Sequence, residues 1–307
     1  MNEDWPSRRS YRWDAYDVAT LARRKEAMGL AVSLVVPARD EVATVGGIVS
    51  RLHDALVETA RLVDEIVVID SDSADGTGLA AAEAGAVVHR SADIRPELGS
   101  VPGKGEAMWK SQFVTSGDLV VFMDADLVEW DTHFVPGLLA PLLHEPDVQL
   151  VKGFYERPML AADGGGAYDG GRVTELVARP LLALAWPELA GLIQPLAGEW
   201  AVRRDHLASL SIPTGYAVEL AAVVDTLERC GLDAIAQVDL GRRGHSHQSL
   251  HDLGAMAVQI MAAVERRRGH PAPETVALRQ FVPGGAGLEI LERTVRTGER
   301  PPVGVLA

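Results

Sequence analysis

The chain has 307 residues, of which 47% are hydrophobic and 23% are charged, and its formal net charge at pH 7 is −14. These proportions are those of a globular protein long enough to bury a full core. The negative charge argues against a nucleic acid partner, because such binding draws on clustered Lys and Arg. A phosphorylated ligand would likewise need a bound cation or a few placed basic groups.

The first half of the chain alternates short apolar runs with segments of helical periodicity. We predict an N-terminal arm over residues 1–28, with a helix over 15–28. Beyond it we predict strands over 31–36, 65–69, 86–89 and 119–123, and helices over 44–60, 78–84 and 106–115. This alternation predicts an α/β fold with a Rossmann-like, mostly parallel sheet and helices on both faces. Ligands of such sheets bind at the carboxyl ends of the strands.

The character of the sequence changes near residue 150. We predict strands over 148–154 and 234–240, a Gly-rich loop over 161–172, and helices over 173–185, 218–230 and 250–267. The chain therefore divides into halves over 29–150 and 151–297, followed by a loosely held C-terminal tail over 298–307.

Neither a membrane span nor a disulfide is predicted. The apolar stretch over 176–200 is interrupted by Arg179, Glu188 and three prolines, so we interpret it as core or a dimer face. Cys230 is the single cysteine, and we expect a buried, inert thiol within a helix. No apolar stretch typical of a signal peptide follows the N-terminal arginines, so we expect a cytoplasmic enzyme.

Two Asp-x-Asp triplets follow apolar runs. Asp124-Ala125-Asp126 follows 120–123, and Asp70-Ser71-Asp72 follows 66–69. Paired carboxylates at the end of a strand can hold Mg²⁺ or Mn²⁺ together with phosphate oxygens, although a solvated turn would also explain them. We assign the later triplet to the metal and the earlier one to the ribose or base of a nucleotide.

Three further segments could bind anions or a metal. Lys104, flanked by Pro102, Gly103 and Gly105, could reach a diphosphate or could be an ordinary surface lysine. The run 170–174 (GGRVT) opens a predicted helix, so its backbone N–H groups and Arg172 could bind a phosphate, or it could be a flexible loop. His245 could complete a metal shell or face solvent.

Long runs of this sequence resemble the glucosyl-3-phosphoglycerate synthases, which are retaining glycosyltransferases of the GT-A fold found in actinobacteria. The resemblance covers about residues 30–285, and its most specific runs are 101–107 (VPGKGEA), 170–182 (GGRVTELVARPLL), 231–238 (GLDAIAQV) and 281–285 (FVPGG). It implies UDP-glucose as donor, 3-phosphoglycerate as acceptor, Mg²⁺ or Mn²⁺ as cofactor, and a homodimer. Residues 29–150 would be the nucleotide-sugar-binding half and 151–297 the acceptor-binding half.

The resemblance also implies roles for individual residues. The metal ligands would be Asp126 and His245, and the catalytic groups Lys104, Asp126 and Glu219. The residues that contact the nucleotide-sugar would be Pro37, Ala38, Arg39, Asp40, Glu41, Ser71, Lys104, Asp124, Ala125, Tyr216, Glu219, Arg243 and Gln248. The residues that contact the acceptor would be Gly171, Arg172, Val173, Thr174 and His247.

The sequence departs from the family pattern at three places. Asp40 replaces a usual Asn and Asp72 an expected Gly, and each adds negative charge near the nucleotide. The run 246–248 replaces a common Arg-Asn-Arg, which affects the acceptor site most.

Alternative hypotheses are a transferase that uses GDP-mannose, a polyprenyl-phosphate glycosyltransferase, a sugar-phosphate nucleotidyltransferase and a non-catalytic nucleotide-binding module. The nucleotidyltransferase hypothesis is weak because 37–41 lacks the glycines of its phosphate loop.

Overall fold

A computed structural model describes residues 4–156, 171–244, 249–284 and 287–306. Twelve strands are formed within these ranges: β1 Ser10–Arg12, β2 Val32–Ala38, β3 Glu65–Asp70, β4 Val87–Arg90, β5 Leu119–Phe122, β6 Leu150–Glu156, β7 Trp200–Arg203, β8 Ile212–Pro213, β9 Ile235–Arg242, β10 Thr275–Gly284, β11 Gly287–Arg296 and β12 Glu299–Arg300. The α-helices of the same ranges are α1 Trp5–Arg9, α2 Val18–Met28, α3 Val45–Leu52, α4 Thr77–Glu83, α5 Lys104–Ser111, α6 Phe134–His144, α7 Arg179–Ala185, α8 Arg204–Ser209, α9 Val218–Cys230 and α10 Leu250–Arg267.

Eight strands form one sheet in the order β1-β9-β6-β7-β5-β2-β3-β4. Only β7 runs antiparallel to its neighbours in this sheet of the described residues, and every other pairing is parallel. The predicted α/β class and mostly parallel sheet are therefore confirmed. The prediction did not include β7 or β1, which add an antiparallel strand and an edge strand.

The sheet is buried on both faces. On β2, Leu34 and Val36 join one hydrophobic cluster while Val35 joins the other, because successive side chains of a strand point to opposite faces. This burial explains why β2, β3 and β5 are near-continuous apolar runs. It also places the carboxyl ends of these three strands side by side, and the candidate site lies at that edge.

Two expectations from the sequence are wrong. Cys230 is exposed, because it is the last residue of α9 and directly precedes Gly231. The described part of the tail, 298–306, is not loosely held, since β12 pairs antiparallel with β8, and Val303 and Leu306 pack against the core. Among the described residues, no helix combines the length and apolar character needed to cross a membrane.

Strands β10 and β11 form a separate antiparallel hairpin that the sequence analysis did not predict. One face rests on α10, where Gln280 Nε2 donates to His251 O at 3.0 Å and Arg293 pairs with Asp252 at 2.5 Å. The other face leaves Phe281, with 57% exposure, and further large apolar side chains in solvent. An isolated two-stranded hairpin is at best marginally stable in water, so the packing on α10 supports it.

Candidate active site

The triplet that follows β5 lies at the carboxyl edge of the sheet. Asp124 and Asp126 lie two and four residues beyond Phe122, the last residue of a strand that is buried along its whole length. The hydroxyl of Thr44, just before α3, donates to the carbonyl of Ala125 at 2.7 Å. This bond connects the triplet to the loop after β2, so the two segments that are expected to contact the nucleotide are held together.

Lys104 bridges two carboxylates of distant segments. Its Nζ lies 2.5 Å from Asp124 Oδ1 and 2.7 Å from Glu219 Oε1, and all three side chains are largely buried. Burial alone would lower the pKa of Lys104, but the facing carboxylates of Asp124 and Glu219 outweigh it and raise the pKa above its usual value. The amine is therefore a permanent cation beside the triplet, as a diphosphate-binding lysine must be.

Arg243 is the second cation of the cluster. Its Nη2 lies 2.9 Å from Asp124 Oδ2 and 3.4 Å from Asp126 Oδ1, while its Nη1 lies 3.1 Å from Glu199 Oε2 and donates to the hydroxyl of Tyr155 at 2.5 Å. The Tyr155 hydroxyl in turn donates to Glu199 at 2.8 Å. These contacts fix the guanidinium, which is 6% exposed, over the triplet.

The two aspartates differ in how fully they are compensated. Burial would raise the pKa of Asp124, but Lys104 and Arg243 outweigh it and lower the pKa below its usual value. Burial and the adjacent charge of Asp124 raise the pKa of Asp126. Asp126 is also the more accessible of the two, with a side chain 39% exposed against 19% for Asp124. Asp126 therefore has the oxygen chemistry, the access and the less fully compensated charge that suit a hard divalent cation.

The second predicted metal ligand, His245, lies outside the described residues and stays a prediction. Gly244, its neighbour, donates its N–H to the carbonyl of Glu129 at 3.1 Å, on the loop that follows the triplet. In the part of the chain that the structure describes, no three His, Cys, Asp or Glu side chains are placed to hold a metal together.

Glu41, in the loop after β2, faces the same cluster. Burial and the charges of Asp126 and Asp124 raise the pKa of Glu41 to about 7. Its backbone N–H donates to Thr77 Oγ1 at 2.8 Å, at the start of α4. Glu41 thus adds a carboxylate whose ionisation is opposed by its neighbours, and a cation at the triplet would favour its charged form.

The two acidic departures from the family pattern have structural partners. Asp40 and Asp72 both adopt left-handed backbone conformations, with φ of 56° and 60°, a region that Asn, Asp and Gly tolerate best. Asp40 Oδ1 accepts the N–H of Ala74 at 2.9 Å, which connects the loops after β2 and β3. Asp72 accepts from Arg90 Nη2 at 3.0 Å. The added charge is thus engaged in bonds within the loops.

The other predicted nucleotide contacts lie along the same edge. Pro37 and Ala38 end β2, and Ser71 follows β3 and donates its N–H to Ala38 O at 2.9 Å. Arg39 is exposed, with its Nε 3.9 Å from Asp40. Gln248 lies outside the described residues.

Tyr216, expected near the donor sugar, precedes α9. Its N–H donates to Gln259 Oε1 at 2.9 Å, and burial raises the pKa of its hydroxyl. A Cβ at the neighbouring Gly215 would lie 2.4 Å from the Gln259 amide, so a side chain there would displace the amide that accepts the N–H of Tyr216. The backbone at 215–216 is therefore fixed against α10, three residues before Glu219.

The predicted acceptor residues open the helical segment that leads into α7. Gly171 has φ of 97°, which favours glycine, and its carbonyl accepts the N–H of Glu175 at 3.0 Å. Val173 and Thr174 are buried, whereas the side chain of Arg172 is exposed. His247 lies outside the described residues, and all five acceptor assignments stay predictions.

Three residues of the cluster were missed by the sequence analysis. They are Tyr155, Glu199 and Lys152, and the last is 1% exposed and donates to the carbonyl of Ala197. Burial lowers the pKa of Lys152 to about 7. A signal was available, because Lys152 and Glu199 interrupt apolar runs, and charged residues are rarely buried without a partner or a function.

Gly198 was also missed, and its backbone packs directly against the Asp124 carboxylate. A Cβ at Gly198 would lie 2.2 Å from Asp124 Oδ2, so any side chain there would displace the carboxylate. The sequence around it, Ala197-Gly198-Glu199, gives no local sign of this close approach.

A cavity of about 310 Å³ opens near the carboxyl ends of β6 and β9. Its lining is Phe154, Tyr155, Glu156, Ile193, Asp239, Gly241 and Arg242. It contains two carboxylates and one guanidinium, and Arg242 already pairs with Glu129 at 3.5 Å. Its charge therefore does not favour an anionic ligand, and we do not assign the acceptor to it.

Comparisons with known proteins identify relatives of this chain. The profile described as "Glycosyl transferase family 2" matches residues 33–162. Glucosyl-3-phosphoglycerate synthase of Mycolicibacterium paratuberculosis is 45% identical, over 98% of this chain and 92% of that protein.

Two solved structures are similar over nearly their whole length. The crystal structure of glucosyl-3-phosphoglycerate synthase from Mycobacterium tuberculosis in complex with Mn²⁺, UDP-glucose and phosphoglyceric acid has a TM-score of 0.86 and 40% identity, over 97% of this chain and 99% of that one. Mannosyl-3-phosphoglycerate synthase from Rubrobacter xylanophilus has a TM-score of 0.89 and 41% identity, over 99% of both chains. The GT-A fold and the resemblance stated from the sequence are confirmed, and the chain belongs to the glucosyl-3-phosphoglycerate synthase family.

Proposed function

We propose that this chain transfers glucose from UDP-glucose to the 2-hydroxyl of 3-phosphoglycerate, with retention of the α configuration and release of UDP. The observation that carries the proposal is the buried bridge of Lys104 between Asp124 and Glu219, beside the more accessible Asp126. Support for these substrates comes from the 45% identity to a glucosyl-3-phosphoglycerate synthase and from the UDP-glucose and phosphoglyceric acid bound by the Mycobacterium tuberculosis protein.

The donor diphosphate would lie against Lys104 and the triplet. Lys104 would donate to the departing phosphate oxygens, and such preorganised charge is usually the largest contribution to catalysis in sites of this kind. Asp126 and His245 would hold the divalent cation, which supplies Lewis-acid stabilisation of the charge that develops on the diphosphate. Arg243 favours the ionised form of Asp124, and this carboxylate in turn holds Lys104.

Retention requires that the acceptor attack from the face that the diphosphate leaves, or that a protein nucleophile intervene. Glu219 Oε1 is held by Lys104 at 2.7 Å, and the side chain is only 4% exposed. This arrangement favours Glu219 as a group that orients the sugar and Lys104. We therefore propose the front-face route, in which the leaving phosphate oxygen accepts the proton of the acceptor hydroxyl.

The acceptor would bind at the start of the helical segment over 172–185. The N–H groups of a helix start and the guanidinium of Arg172 suit a phosphate, and Gly171 lets the backbone approach it closely. Holding the phosphate fixes the position of the 2-hydroxyl, which is the contribution of orientation to the rate.

The test is an assay of UDP release from purified protein with UDP-glucose, 3-phosphoglycerate and Mg²⁺. We expect release that requires all three components, and a product whose α-glucosyl linkage is seen by NMR. Absence of UDP release under these conditions would contradict the proposal. UDP-glucose hydrolysis that does not depend on 3-phosphoglycerate would contradict the acceptor assignment alone.

A second donor has specific support. The mannosyl-3-phosphoglycerate synthase from Rubrobacter xylanophilus is as similar to this chain as the glucosyl enzymes are, with 41% identity. A parallel assay with GDP-mannose separates the two donors, and we expect a kcat/KM at least about tenfold lower than with UDP-glucose, a difference worth about 1.4 kcal/mol of transition-state binding.

We also propose that the chain forms a homodimer through the outer face of the β10–β11 hairpin. That face exposes Phe281, Leu288 and Ile290 by 57, 75 and 59%, and adjacent apolar groups of this size mark an interaction surface. A multi-angle light-scattering mass of twice 32.8 kDa is expected, with Ile290→Asp shifting it towards one chain. A wild-type mass of one chain at micromolar concentration would exclude the dimer.

The cytoplasm is the compartment that the proposed substrates favour, because both are charged metabolites that do not cross a bilayer unaided. We therefore expect the protein in the soluble fraction of lysed cells. Recovery with the membranes after a high-salt wash would contradict this assignment.

A further inference from the structure

The C-terminal segment, here called the strap (residues 298–306), contacts α5 through Arg300 and Pro301. Arg300 Nε and Nη2 lie 2.7 Å from the two carboxylate oxygens of Glu106, which is 1% exposed. This is the bidentate geometry that makes Arg–carboxylate pairs strong and directional. Glu106 stands two residues after Lys104, in the first turn of α5.

Arg300 also binds the loop that leads into Lys104. Its Nη1 donates to Leu98 O at 2.9 Å and its Nη2 to Gly99 O at 3.3 Å. The guanidinium carbon lies 4.9 Å from the centre of the Trp109 ring, and Trp109 Nε1 donates to Pro301 O at 2.8 Å. One arginine of the strap therefore contacts the chain both before and after Lys104.

The strap supports the Lys104 loop from a second side as well. Strand β12 pairs with β8, and the next residue, Thr214, accepts the N–H of Glu106 at 3.0 Å. A Cβ at Gly103 would lie 2.1 Å from Thr214 O, and one at Gly105 would lie 1.8 Å from Pro213 O. The loop is thus pressed against the ribbon of β8 and β12 with no space between the backbones.

We propose that Arg300 is a positioning residue for the transfer reaction, which acts through Glu106 and the ribbon to hold Lys104 where it meets the donor diphosphate. The inference rests on the proposed function, because Lys104 must contact that diphosphate. The position is demanding: Lys104 must reach Asp124 and Glu219 from the first position of α5, directly after Gly103, which has φ of 149° and little intrinsic stiffness. Without Arg300, the segment around Lys104 would lose together the contacts that this side chain makes with Leu98, Gly99 and Glu106.

The experiment is a double-mutant cycle between Arg300 and Lys104, read as the affinity for UDP in the presence of Mg²⁺ by calorimetry. Arg300→Met is expected to weaken UDP binding by about tenfold or more, the size typical of losing a group that orients a ligand-binding side chain. In the Lys104→Met background, the same change should cost less than about twofold, because residues that act as a unit are not additive. In steady state, kcat should fall and the KM for 3-phosphoglycerate should change by less than about twofold, because the acceptor site is separate.

Arg203→Met is the matched control for lost stability. Arg203 is also partly buried, and its guanidinium donates to Val148 O at 2.8 Å and Leu142 O at 2.7 Å. In the sheet, Arg203 lies opposite Leu119, at the end of β5 that is farther from the triplet. We expect both variants to melt at lower temperature and only Arg300→Met to lose UDP affinity. If Arg300→Met does not fold, the cycle is run with Arg300→Lys, which keeps the charge and cannot form the bidentate pair.

Equal UDP affinity in wild type and the Arg300 variant, or additive losses in the cycle, would overturn the proposal. Wild type that binds GDP in place of UDP would contradict the donor assignment only, and the same cycle would then be read with GDP. Wild type that binds neither nucleotide would overturn both.

Discussion

Asp126→Ala is expected to lower the rate of UDP release from UDP-glucose and 3-phosphoglycerate by a factor of about 10² or more, since even outer partners of a metal are typically worth that much. The reason is that Asp126 is the more accessible aspartate of the triplet, and its ion pair with Arg243 is longer than that of Asp124, 3.4 Å against 2.9 Å. Kinetic assays over a range of Mg²⁺ concentrations measure the change. The variant should stay folded, because Asp126 is partly exposed.

Asp131→Ala is the control for Asp126→Ala. Asp131 lies on the same loop, is 59% exposed and pairs with Arg51 at 2.9 Å, so its loss should leave the rate within about twofold of wild type, as surface ion pairs contribute little. Equal losses in the two variants would show that the loop matters as a whole and that Asp126 is no metal ligand.

Metal binding should also depend on pH with a definite sign. The pKa of Glu41 is raised to about 7 and that of Asp126 is raised, by burial and by neighbouring aspartates. A cation favours the ionised forms, so Mg²⁺ affinity should rise with pH up to about 7 and binding should release protons. Calorimetry in buffers of different ionisation enthalpy measures the release.

The same groups affect folding stability in the opposite direction. Because the folded pKa of Glu41 lies above its unfolded value of 4.5, the folded state binds more protons between pH 4.5 and 7. The contribution of Glu41 to stability therefore falls as pH rises through that window when metal is absent. In Asp126→Ala this fall should be smaller, because one of the charges that raise the pKa of Glu41 is gone.

The second large effect is expected for Lys104→Met, which should lose both activity and stability. Removing the amine leaves Asp124 and Glu219 buried without the cation between them, and breaking a buried pair costs about 3 kcal/mol or more. The rate of transfer should fall by about 10² to 10³, the range for removing one donor that stabilises charge in a transition state. Urea denaturation and steady-state kinetics measure the two losses.

Lys25→Met is the control that separates the loss of stability from the loss of activity. Lys25 is 6% exposed, and its Nζ lies 2.8 Å from both carboxylate oxygens of Asp64, outside the site. We expect this variant to be destabilised while kcat stays within about twofold of wild type, since its pair takes no part in charge stabilisation. A Lys104 variant that kept wild-type kcat would remove Lys104 from the mechanism.

The elements that the sequence predicts best are those whose type and ends depend on their own residues. Helices α9 and α10 begin and end at the predicted residues, because their apolar periodicity stops at Gly231 and begins at the cap residue Ser249, whose hydroxyl accepts the N–H of Asp252 at 3.2 Å. Strands β2, β3 and β5 were predicted because burial on both faces leaves a continuous apolar run.

What the sequence hides depends on partners far along the chain. Strand β7 is only four residues long, and it lies antiparallel between β5 and β6. Nothing in its own residues indicates these two partners. The tail was expected to be loose because nothing in 298–307 indicates that Arg300 meets Glu106, which lies 194 positions earlier. Tyr155 was missed for the same reason, since its role depends on Arg243, whereas Glu199 could have been noticed because it interrupts an apolar run.

The candidate site was likewise predicted only in part. The resemblance named Lys104, Asp124, Asp126, Glu219 and Arg243, and the structure brings these five side chains into one cluster. Their roles in binding and catalysis stay predictions, as do those of His245, His247 and Gln248. Asp40 and Asp72 were expected only to add charge, whereas their left-handed backbones and hydrogen bonds give them a structural role.

The central claim is that Asp126 and Lys104 act on one cation-bound diphosphate, and a crystal grown with Mn²⁺ and UDP tests it most directly. We predict one strong anomalous peak at about 2.2 Å from an Asp126 carboxylate oxygen, with the diphosphate oxygens on the same ion and Lys104 Nζ within hydrogen-bond distance of them. An ion held away from Asp126, or a diphosphate that Lys104 does not contact, would contradict it.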